Sequence, residues 1–134
     1  MSAADKPWLG LPDEACDRRE ALFGGVGAVR VWELLPDQAT DPFTAALACE
    51  LDPAGSVGVH MQTADVEIVV CLEGAGTATV DGVAHELCPG AALYLPLGGR
   101  LALRNDARDA PLRYLIIKAA ARPPRASSPG ATAS

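Results

Sequence analysis

The fold is decided by GSVGVHMQTADVEIVVCLEGAGTATVDGVAHELCPGAALYLPLGGRLALRN, residues 55–105. Within it, His60 and Gln62 are separated by one residue, Glu67 follows after four more, and Gly74 after a further six. Side chains alternate across a strand, so His60 and Gln62 are expected on one face. A second set of fixed intervals runs Gly90, Pro96, Gly98, Leu101, Asn105. Between the two, Asp81-Gly82 is the strongest hairpin signal in the chain.

Outward from this stretch the period of two persists. Toward the N-terminus, Ala28, Arg30, Trp32 and Leu34 alternate with Val29, Val31, Glu33 and Leu35. Pro36-Asp37 and Asp41-Pro42 punctuate a loop before FTAALACEL (43–51). Val66–Leu72 is β-branched and apolar, Thr77–Val80 and His85–Cys88 flank the Asp-Gly turn, and Ala91–Pro96, Arg100–Asn105 and Leu112–Lys118 complete the set. Eight or nine short strands between Gly, Pro, Asp and Asn turns, with no long helix, predict an all-β double-sheet sandwich or barrel.

The flanks read differently. Residues 1–25 form an N-terminal arm in which Pro12, DEACD and DRRE offer a short helix, or else an extended segment packed on a partner subunit. Residues 26–118 are the barrel. Residues 119–134 are a Pro-, Ala- and Ser-rich tail without hydrophobic anchors, expected to be disordered.

At 134 residues the chain is expected to hold one core. Its net charge is −6, and because the tail carries Arg122 and Arg125 and no acid, residues 1–118 hold −8. An acidic body without a basic stripe argues against nucleic acid and anionic membrane surfaces as partners. No apolar run approaches a membrane span, and MSAADKPWLG lacks the form of a secretory leader, so a cytoplasmic location is expected. The four cysteines (Cys16, Cys49, Cys71, Cys88) have no CxxC or zinc-ribbon spacing and are expected to be reduced.

The two interval patterns resemble the paired motifs of the cupin superfamily, in its small single-domain bacterial form. The resemblance covers about residues 26–118, and the 15 residues between Gly74 and Gly90 match the family's inter-motif loop. It implies a cupin-type double-stranded β-helix, a jelly-roll barrel, commonly a homodimer. It also implies a divalent metal (Zn, Ni, Fe or Mn) held by two histidines and a glutamate from the first motif and a histidine from the second.

Residue by residue, His60 and Glu67 match that pattern. Gln62 stands where the second histidine belongs, and Leu101 where the last one belongs. Gly55 precedes His60 by four residues where the family usually has five. Leucine cannot bind a metal, and a neutral amide is a weaker donor than imidazole.

His60, Gln62 and Glu67 are therefore the expected ligands of a weakened site, with His60 and Glu67 as candidate catalytic groups. The alternative is a polar cluster in the barrel, with Glu67 hydrogen-bonded to Gln62 or to protonated His60. A metal-free acid–base pair of His60 and Glu67 would suit isomerisation or dehydration, as in some sugar-modifying cupins. His85 is expected on the connecting hairpin, away from the site.

Val69, Cys71, Leu101 and Leu103 are expected to make an apolar pocket floor. Arg30, Trp32 and Tyr94 are weighed as lumen residues and favoured as core or surface. Arg100 and Arg104 are expected to face solvent. Two function classes remain: a small-molecule-binding domain without turnover, or a metal-dependent enzyme (dioxygenase, isomerase or lyase).

Overall fold

The computed structural model describes residues 8–36 and 40–121. Ten strands follow in order: β1 Asp17–Glu20, β2 Ala28–Glu33, β3 Phe43–Leu51, β4 Ser56–Met61, β5 Asp65–Glu73, β6 Gly76–Val80, β7 Val83–Leu87, β8 Ala92–Leu95, β9 Arg100–Asn105 and β10 Leu112–Ala120. They form two antiparallel sheets, one in the order β1-β2-β3-β10-β5-β8 and the other β4-β9-β6-β7. This is the expected jelly roll, and neighbours along the chain repeatedly switch sheets.

The alternation of the sequence becomes the two faces of each strand. Leu51, Val69, Leu95, Leu101, Leu112 and Tyr114 meet between the sheets and are almost wholly buried. Their apolar area, taken from water, is the main force holding the sheets together. The turns carry the residues their backbones require. Asp81 and Gly82 both have positive φ (48° and 82°), as a two-residue hairpin loop demands. Gly74 has φ 103°, and a Cβ there would lie 2.8 Å from the Pro111 carbonyl oxygen.

The segment before residue 26 belongs to the same body. Instead of a helix, residues 8–25 form short 3₁₀ turns and the strand β1, which pairs with β2 (Arg19 opposite Val29). A second, smaller core lies on the outer face of the larger sheet, where Trp8 meets Trp32 edge-on at 6.1 Å above Ala48. The Trp32 indole N–H donates to the Pro12 carbonyl at 2.8 Å. Trp32 thus lies under the arm and not in the lumen. Arg30 is also outside, paired with Asp13 and Glu50, and Tyr94 is exposed. Ala119 and Ala120, expected in the disordered tail of residues 119–134, instead extend β10 and pair with Val66 and Asp65. The first seven residues, Asp37 and the rest of that tail beyond Ala121 lie outside the described residues.

Cys49 and Cys71 are buried in the core as small apolar residues, and no described cysteine is in a disulfide. Arg100 and Arg104 face solvent, as does His85 on β7. No helix among the described residues is long and apolar enough to cross a membrane.

Candidate functional site

Three strands bring the site together. β4 delivers His60 opposite Leu101 of β9, after an irregularity in register between Val57 and His60. β5 delivers Glu67, whose direct neighbours across the ladder are Leu95 of β8 and Lys118 of β10. The loop after β4 delivers Gln62, fixed by its own backbone: its N–H donates to the Gly99 carbonyl at 3.0 Å and its carbonyl accepts from the Gly98 N–H at 2.8 Å.

Of the three expected ligands, the structure joins two. The Gln62 side-chain amide donates to Glu67 Oε1 at 3.0 Å. Lys118 Nζ lies 3.9 Å from the same oxygen. The other carboxyl oxygen, Oε2, is buried and has no hydrogen-bond partner among the described residues. Glu67 itself is 1% exposed. Burial therefore pushes its carboxyl above the usual range, and the Lys118 ammonium partly opposes that.

His60 is held elsewhere. Its ring stacks on Phe23 with centroids 4.3 Å apart and planes 13° from parallel. Its Nδ1 lies 3.3 Å from the Gly58 carbonyl oxygen, a contact that only an N–H can make. Partial burial holds the imidazole below its usual pKa; the Gly58 carbonyl opposes this and Lys118 adds to it. Burial and Lys118 both favour the neutral imidazole, and the tautomer that donates from Nδ1 to Gly58 leaves the lone pair on Nε2.

Phe23 reaches His60 because two glycines let the chains touch. A Cβ on Gly58 would sit 1.8 Å from the Phe23 carbonyl oxygen, and one on Gly25 would sit 2.1 Å from that of Ser56. Ala21 and Phe23 both take left-handed φ (48° and 53°), a conformation that is costly for residues other than glycine. The compact turn at Leu22–Gly24 is the outcome.

A cavity of about 110 Å³ runs through this region. His60, Glu67, Phe23, Lys118, Tyr114 and Leu101 all line it. Leu103 does too, as expected, whereas Val69 and Cys71 lie in the core away from it. Tyr114 and Cys49, paired across the β3–β10 ladder and both buried, add to the lining; burial pushes the Cys49 thiol up to about 12 and the Tyr114 phenol well above its usual value. Neither supplies a thiolate or a phenolate at neutral pH.

Phe23, Lys118 and Tyr114 are the site residues that sequence reasoning missed. A signal did exist for two of them. Tyr114, Ile116 and Lys118 alternate along the last strand, so a lysine occupies an inward-facing position. For Phe23, in a segment without periodicity, there was none.

The donor set was tested for a divalent metal. Among the described residues, no three His, Cys, Asp or Glu side chains converge on one point. Gln62 and Lys118 already engage the Glu67 carboxylate, and Leu101, fully buried, fills the position opposite His60. An ammonium beside Glu67, the one carboxylate among the described lining residues, would also repel a dication. As placed, these residues do not fit a divalent cation.

The fold and site define an all-β jelly-roll barrel with a polar cluster enclosed in its interior. The sequence profile of the cupin domain matches residues 47–118, more than half of the chain, and the chain belongs to that family. Among solved structures it is similar to a predicted oxalate decarboxylase from Thermotoga maritima (TM-score 0.74, 23% identity, covering 80% of this chain and 93% of that one). A Cupin 2 conserved barrel domain protein from Salinispora arenicola CNS-205 gives a TM-score of 0.62 at 24% identity, covering 81% and 84%. A cupin protein from Bacteroides fragilis gives 0.57 at 28%, covering 73% and 82%. A search of curated proteins gives no match.

Proposed function

We propose that this cupin domain binds a small molecule inside the barrel without a divalent metal. The observation that carries the reading is Lys118, whose ammonium faces Glu67 across the β5–β10 ladder at 3.9 Å. It gives the buried carboxylate the positive charge that a metal would otherwise supply. Leu101 in place of the last histidine, and the 3.0 Å Gln62–Glu67 hydrogen bond, point the same way. The cavity then offers apolar walls with a few convergent polar groups, the usual makeup of a small-molecule site.

In this arrangement Glu67 orients the ligand, Gln62 holds the Glu67 carboxyl in place, Lys118 keeps the carboxylate tolerable in the interior, and the Phe23–His60 stack forms part of the wall. A metal-dependent cupin enzyme (dioxygenase, isomerase or lyase) is the competing reading, favoured by the unpartnered Glu67 Oε2.

Elemental analysis of untagged protein, after incubation with iron, nickel, manganese or zinc, separates the two. We expect well under one-tenth of an equivalent, rising toward one equivalent only in the Gln62→His/Leu101→His/Lys118→Met triple variant. A near-stoichiometric metal in the unaltered protein, lost in His60→Ala, would overturn the proposal.

A further inference from the structure

Resting on the barrel-pocket reading, we infer that the ligand is a compact, otherwise apolar molecule carrying a hydroxyl, and that this hydroxyl pairs with Glu67 Oε2. The two oxygens of this carboxyl are treated unequally. Oε1 accepts from Gln62 and faces Lys118, while Oε2 is buried and unpartnered among the described residues. A buried oxygen left unpaired costs free energy, and more if it is charged.

Either protonation state of Glu67 leads to the same chemical group. As a carboxylate, Oε2 needs a donor. As a carboxylic acid protonated there, it needs an acceptor. A hydroxyl is both at once, whereas an ammonium only donates and an ether or carbonyl only accepts.

The rest of the lining sets the body of the ligand. Val29, Val31, Val57, Leu101, Leu103 and Ile116 offer no polar side-chain atom. The two basic side chains of the lining already have counter-ions, Lys118 with Glu67 and Arg19 with Asp17 at 2.8 Å. No uncompensated charge is left to select an ionic ligand. A dry apolar cavity of about 150 Å³ admits benzene; at about 110 Å³ this one is smaller, so it suits a short branched alcohol as it stands and a single ring once its walls give slightly.

Phenol and toluene, nearly equal in size and differing in the hydroxyl, are the probes. Binding is followed in the full chain by methyl NMR shifts of Leu101, Leu103 and Ile116. We expect phenol to bind at least about tenfold more tightly than toluene, the ratio that a hydrogen bond to a buried charged group gives. In Glu67→Leu the ratio should fall to within about threefold.

Equal binding of the two probes, or a ratio that survives in Glu67→Leu, overturns the hydroxyl inference and leaves the pocket reading standing. Failure of both probes to move any of these methyls overturns both. Should Glu67→Leu not fold, the Glu67 carboxyl ¹³C resonance of the unaltered protein decides. Movement with phenol and not with toluene supports the inference, and no movement with phenol overturns it.

Discussion

Replacing Lys118 with methionine isolates the charge that balances Glu67. Methionine keeps most of the apolar stem, so the change removes chiefly the ammonium. At 3.9 Å the pair attracts by about 4 kcal/mol in a medium of effective dielectric near 20. Breaking a buried pair typically costs about 3–5 kcal/mol, because the remaining charge is stranded.

The carboxyl has an escape, which caps the loss: it can take up a proton. Raising its pKa from the ordinary 4.5 to pH 7 costs about 3 kcal/mol at 1.36 kcal/mol per unit. At pH 5 the same ceiling is below about 1 kcal/mol. The sign follows from linkage. A carboxyl whose folded pKa is raised binds a proton that the unfolded chain has released, so stability falls as pH climbs from 4.5 toward the folded value.

Lys118→Met is therefore expected to lose up to about 3 kcal/mol at pH 7 and less than about 1 kcal/mol at pH 5. Urea denaturation at pH 5, 6, 7 and 8 measures it. The Lys118→Met/Glu67→Gln double variant should show no such pH dependence. A loss equal at all four pH values, or no loss at pH 7, would refute the role given to Lys118.

Three further outcomes test other parts of the structure. Asn105→Ala removes hydrogen bonds from Nδ2 to the Ala110 and Asp52 carbonyls (2.8 and 3.0 Å) and one from the Ala107 N–H to Oδ1 (3.0 Å). At about 1 kcal/mol each, it should cost about 3 kcal/mol in urea denaturation, and a loss under 1 would deny these bonds a role. Gly58→Ala should push Phe23 off His60, seen as loss of the ring-current shift on the His60 protons, with about 1–3 kcal/mol of destabilisation from overpacking. Trp8→Ala should cost about 3 kcal/mol through lost packing on Trp32 and under Arg113, whose guanidinium carbon sits 5.9 Å from the ring centroid; an unchanged midpoint would mean that the arm contributes nothing to the fold.

The fold was legible because its signals are local. Each strand shows its own period of two. Asp81-Gly82 announces a turn whose positive φ values belong to such residues. Gly74 and Asn105 sit where backbone crowding and a four-way cap leave few substitutes. Gln62 and Glu67, five residues apart, were close enough in sequence for their pairing to be foreseen.

The partners that decide the chemistry were not local. Lys118 meets Glu67 only through the register of β10 against β5, which depends on the whole core. Phe23 reaches His60 through two glycines and two left-handed residues in a segment without periodicity. The sequence alone suggested a metal site missing two of its ligands. Placing Lys118 changes what those two positions mean. Restoring histidines beside an unaltered Lys118 would set a dication against an ammonium sharing one carboxylate. Full metal affinity in a redesigned barrel should therefore require Lys118→Met as well, and that third substitution is where the electrostatic argument meets the ligand argument.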